Sequence, residues 1–105
     1  MLDTTPLTTA VARFADRLRS APQSRLQRGA AAEGLALARE LSLRAQRLED
    51  PDAPVRIMPD TGMFVVADQL AVAGNDLAQE LRTAPSEELD EAVRIVEAAA
   101  VAAGL

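Results

Sequence analysis

An all-α fold, an antiparallel up-down four-helix bundle in a single domain covering residues 1–105, is what this sequence predicts. Apolar residues recur at helical spacing along nearly the whole chain, and proline-centred breaks divide it into four such stretches. No stretch alternates as a strand does. At 105 residues the chain can bury a core without disulfides or a structural metal. Helices are expected near 6–20, 23–49, 60–83 and 86–103.

The first helix opens at Thr5-Pro6, where threonine can cap and proline suits the first helical position. Leu7, Val11, Phe14 and Leu18 give it one apolar face. It stops at Ser20-Ala21-Pro22, because the residue before a proline resists helical geometry.

The second helix, 23–49, is the spine. Leu26, Ala30, Gly34, Leu37, Leu41, Ala45 and Leu48 follow an eleven-residue pattern run twice, close to the natural helical period. Ala31, Leu35, Ala38 and Ser42 widen the buried arc. An unbroken helix of this length reaches about 40 Å.

From Asp50 to Pro59 three prolines forbid a helix, yet Val55, Ile57 and Met58 are too apolar for a free linker. An ordered connection covering one end of the core is expected. Glu49, Asp50, Asp52 and Asp60 cluster there, but their spacing is not that of a calcium loop, so no metal is expected.

Asp60 or Thr61 can cap the third helix, whose inner face is Met63, Val66, Leu70, Ala73, Leu77 and Leu81, widened by Ala67 and Gly74. If it lies antiparallel to the second helix, Gly34 and Gly74 fall at one level. A close backbone crossing is expected there, since a helical glycine otherwise costs about 1 kcal/mol relative to alanine.

The fourth helix starts at Ser86, with Glu87, Glu88, Asp90 and Glu91 placed to complement the helix dipole. Leu89, Val93, Val96 and Ala100 point inward, supported by Ala92 and Ile95. Ala98 to Ala103 is apolar on every side, so it is enclosed by the bundle, covered by another subunit, or frayed ahead of Gly104-Leu105. Leu18-Arg19-Ser20-Ala21-Pro22 recurs as Leu81-Arg82-Thr83-Ala84-Pro85, which predicts one turn used twice.

Composition narrows the function. There is no His, Cys, Lys, Tyr or Trp, which removes the usual general base, thiolate and Schiff-base amine. No carboxylate pair falls on an inward face. A non-enzymatic protein without cofactors is expected, and without cysteine the compartment cannot be read from redox chemistry. The opening MLDTTPLTT lacks the features of a signal peptide, and no apolar run suits a membrane span. A soluble cytoplasmic protein is the default. The arginine-only, alanine-rich composition fits a GC-rich genome such as that of an actinobacterium.

Residues 1–48 hold eight arginines against four acids, whereas 49–105 hold three arginines against twelve acids. That asymmetry predicts attraction between the two helix pairs. Leu43 points away from the seam, in line with Ala32 and Ala36 and bordered by Arg28, Arg39 and Arg47. These six residues form the candidate interaction surface, and self-association as a homodimer, or binding of another protein, is the leading expectation.

Ala67-Asp68-Gln69-Leu70-Ala71-Val72 followed by Leu77 resembles the helix-turn-helix proteins that read DNA. The resemblance implies a recognition helix carrying Asn75, Asp76, Gln79, Glu80 and Arg82, and so a DNA-binding or transcription-associated regulator as the alternative. That helix is locally acidic in a chain of net charge −5, which opposes phosphate contact.

Overall fold

A computed structural model describes residues 1–105. Four long helices form the bundle and no strand is present: α1 (Thr5–Ser20), α3 (Ala31–Glu49), α4 (Val66–Leu81) and α5 (Ser86–Ala103). A single turn, α2 (Gln23–Arg25), precedes α3, and a 3-10 turn at Met63–Val65 precedes α4.

The apolar faces are buried nearly as the periodicity requires. Leu7, Val11, Phe14 and Leu18 of α1 join Leu37, Leu41 and Ala45 of α3. Val66, Leu70, Ala73, Leu77 and Leu81 of α4, with Leu89, Ala92 and Val96 of α5, complete one core that holds no polar or charged residue. Val93, Ile95 and Ala100 are only half-buried at its edge.

The spine is not one rod. Gly29 adopts φ 150° and ψ −17°, outside helical geometry, and the Ala31 N–H reaches back to Leu26 O across a widened turn. Only glycine takes such a φ without strain. Leu26 and Ala30 on either side of it are both buried, which is how the apolar repeat passes through the kink.

The chain reverses at both short links, and the two links are built alike. Pro22 and Pro85 have φ, ψ of −60°, 148° and −61°, 148°. The N–H of Ala21 bonds to Leu18 O and that of Ala84 to Leu81 O, while Arg25 and Glu88 bond back to the two proline carbonyls. The repeated Leu-Arg-Ser/Thr-Ala-Pro sequence therefore encodes one turn, used twice.

The long connection does not reverse the chain. Residues 50–62 run back along α3, with Arg56 beside Gln46 and Met58 beside Arg39. Consequently α4 starts near the start of α3 (Val66 against Gly34), and their C-terminal halves share one groove. These two helices are parallel, a crossover arrangement known among four-helix bundles. By contrast, α4 is antiparallel to α1: the Leu2 N–H bonds to Arg82 O, Val11 packs on Gly74, and Arg19 pairs with Asp68.

This direction corrects the glycine expectation. Gly34 and Gly74 each mark a close approach, but not to each other. A β-carbon on Gly34 would stand 2.8 Å from Val66 Cγ1 and 3.0 Å from Leu18 Cδ1, and one on Gly74 would stand 2.7 Å from Val11 Cγ1. Of the consecutive long helices only α3 and α4 pack extensively. Both α4 and α5 pack along α1 and α3, whereas α1 touches α3 sparingly and α4 barely meets α5.

Other details differ too. Thr5 is the first helical residue of α1 rather than its cap, Thr4 at the cap position makes no side-chain bond, and Asp3 Oδ1 accepts the Thr5 N–H at 3.0 Å. Asp60 instead accepts the N–H of Gly62, whose φ of 106° makes the bend into the Met63–Val65 turn. In the connection only Met58 is half-buried; Val55 and Ile57 stay exposed, so the strap hardly covers the core.

Polar side chains hold the strap instead. Gln46 grips the Arg56 backbone with both ends of its amide, Oε1 accepting the N–H at 2.9 Å and Nε2 donating to the carbonyl at 2.8 Å. Arg39 Nε donates to Met58 O at 2.8 Å and Gln69 Nε2 to Pro59 O at 3.0 Å. Gln69 Oε1 is buried without a partner, so its fastening is the weaker one.

Candidate protein-interaction site

The six residues of the sequence-derived strip do not share one situation. Ala32, Ala36, Arg28 and Arg47 are exposed, whereas Leu43 and Arg39 are half-buried. Arg39 is committed to the strap through Met58 O. Arg28 lies before the kink and lines a groove with Gly29, Glu33, Ala102 and Ala103, so it borders the end of α5 rather than Leu43. The strip on α3 is thereby reduced to Ala32, Ala36, Leu43 and Arg47.

The end of α5 is the better-formed surface. The bundle does not enclose it: Val101 is 82% exposed, and Ala98 and Ala102 beside it are exposed. Gly104, with φ 70°, ends the helix, and the Arg25 guanidinium donates to its carbonyl. That contact satisfies a terminal acceptor and places a cation at the negative end of the helix dipole.

Beside Val101 runs a groove of about 320 Å³ between α1 and α5. Its walls are Ala10, Arg13, Phe14 and Arg17 on one side, and Val96, Glu97, Ala100, Val101 and Leu105 on the other. Phe14 and Val96 at its base belong to the core, and the half-buried Ala10, Ala100 and Leu105 give it an apolar floor. Arg13 and Arg17, one helical turn apart, are exposed on the rim, as is Glu97 opposite, and none of the three makes an ion pair. The groove is not legible in the sequence because it belongs to two helices distant in the chain. The available signal was Arg13 and Arg17 flanking Phe14, with Glu97 one turn before Val101.

A second groove, of about 460 Å³, lies between the strap and the C-terminal halves of α3 and α4. Gln46, Glu49, Arg56, Asp76, Gln79 and Glu80 make it mostly polar. No group of three or more His, Cys, Asp or Glu is arranged to hold a metal ion.

Electrostatics within the fold are local. The one ion pair between elements is Arg19 with Asp68, at 2.8 Å; Arg19–Asp16, Arg44–Glu40 and Arg94–Glu91 lie within single helices. The hydrogen bond from Arg19 to Asp68 holds its guanidinium above the ordinary arginine pKa. The attraction expected between the basic and acidic halves thus rests on a single exposed contact.

The segment 67–82 is helical without interruption to Leu81, so the turn that a helix-turn-helix reader needs is not formed there. No helix is long and apolar enough to cross a membrane. Fold and surface define an all-α four-helix bundle with an uncovered apolar helix end. Comparison with known proteins finds no matching family model, no matching curated protein and no matching solved structure.

Proposed function

We propose that the chain is a non-catalytic protein-interaction module that associates with a second copy of itself through the C-terminal end of α5. The exposure of Val101, at 82% within an apolar segment, carries this reading. Burying such a valine contributes roughly 1.5–3 kcal/mol. Neighbouring Ala98 and Ala102 are small enough to let another helix approach closely. The adjacent apolar-floored groove supplies a cavity for a projecting side chain, so one surface carries both ridge and groove. Surfaces of that kind suit two-fold pairing, the commonest oligomeric symmetry.

Sedimentation of the wild type beside Val101→Glu and Leu43→Glu tests the reading. A dimeric wild type that Val101→Glu converts to monomer supports it. Dissociation by Leu43→Glu alone would move the interface to the α3 strip. High salt should leave apolar association intact, whereas contact with nucleic acid would weaken steeply.

A further inference from the structure

Resting on the self-association reading, we propose that the second copy docks by a two-fold exchange of ridge and groove between α1 and α5. Each Val101 packs on the other copy's groove between Ala10, Ala100 and Leu105, and each Glu97 faces the other copy's Arg13 and Arg17.

Arg13 and Arg17 stand on the α1 edge and Glu97 on the α5 edge, and none has an intramolecular ion pair. They are of opposite sign and border Val101, the one large apolar side chain of α5 that is exposed. In a two-fold interface, contact of residue i with residue j of the partner recurs as j with i. Inserting the Val101 ridge of one copy into the partner groove carries Glu97, four residues earlier on the same helix, in with it. The groove wall it meets is the one that holds Arg13 and Arg17. The symmetric contact repeats the match, giving two apolar plugs and two sets of opposite charges.

Floor and rim divide the work. Phe14 and Val96 at the base of the groove are 1% and 0% exposed, so a docked side chain meets the half-buried Ala10, Ala100 and Leu105 that line the groove with them. Rim charges add little affinity when matched, but like charges forced together are strongly unfavourable, so they set which orientation is allowed. Glu97 also disfavours a small anionic ligand in the same groove, because it would oppose the arginines that attract one.

Charge reversal tests this directly. Arg13→Glu/Arg17→Glu and Glu97→Arg are purified separately, checked for native helix content by circular dichroism, and sedimented alone and mixed. Each alone should dimerise at least tenfold more weakly than wild type. Mixed, they should restore a dimer, because both halves of the heterodimer regain opposite charges. A wild-type dimer that neither reversal weakens, or a mixture that is not rescued, overturns this geometry while leaving self-association standing. A wild type that stays monomeric across the concentration range overturns both.

Discussion

A β-carbon added to Gly74 would stand 2.7, 2.9 and 3.1 Å from Cγ1, Cγ2 and Cβ of Val11, so α4 has no room for even a methyl group where the Val11 side chain of α1 packs on it. All three atoms belong to a buried β-branched side chain that cannot rotate away. Gly74→Ala gains helix propensity, but the collision should exceed that gain. A net loss of about 1–3 kcal/mol is expected from overpacking, lowering the melting temperature by about 5 °C or more. Val11→Ala in the same chain should recover part of the loss, and thermal melts of the four-member cycle check this.

Gly29 presents the opposite case. A β-carbon there meets nothing within 4 Å, but φ is +150°. Gly29→Ala should therefore destabilise through the backbone alone, by about 1–3 kcal/mol. A straight helix over 23–49 predicts the reverse, a gain of about 1 kcal/mol. The sign of the change in urea midpoint decides between the kinked and the straight spine.

The strap depends on Gln46. Gln46→Ala removes both bonds to the Arg56 backbone and leaves no buried apolar group unsupported. The Arg56 amide should lose its protection from hydrogen exchange, and limited proteolysis should cut within 50–62, while the melting temperature stays nearly constant. A large drop in melting temperature would mean that the strap helps to hold the core.

Asp3 governs the acid behaviour of the α1 terminus. Hydrogen bonds from the side chain and then the backbone N–H of Thr5 lower its pKa below 3.8. A depressed folded pKa means that the stabilisation is present above the unfolded pKa and is lost as pH falls through the folded one. The Thr5 amide resonance should report that titration. Asp3→Asn should abolish it and loosen the first turn of α1 at neutral pH.

Much of this fold was legible because burial follows period. Leu70, Leu77 and Leu81 on α4, and Leu7, Val11 and Phe14 on α1, occupy the inward positions their spacing demands. The twin proline turns were legible for a similar reason, since local sequence determines local φ and ψ. The direction of α4 was not. Periodicity specifies a face and is blind to which end of a helix meets which, and the strap is fastened by Arg39, Gln46 and Gln69, whose side chains could as well have faced water. The Gly29 kink was hidden because Leu26 and Ala30 remain buried across it. The α1–α5 groove escaped notice because its two walls are some eighty residues apart in sequence.

The most direct test of the central claim uses the absence of cysteine. Ala98→Cys, exposed beside Val101, accepts a single nitroxide label, and pulsed dipolar spectroscopy then reads the distance between copies. A well-defined intermolecular distance from position 98, shorter than that from a label at Ala36→Cys on α3, and fading on dilution with unlabelled chain, is the predicted result. No dipolar coupling from position 98, or a shorter distance from position 36, would contradict it.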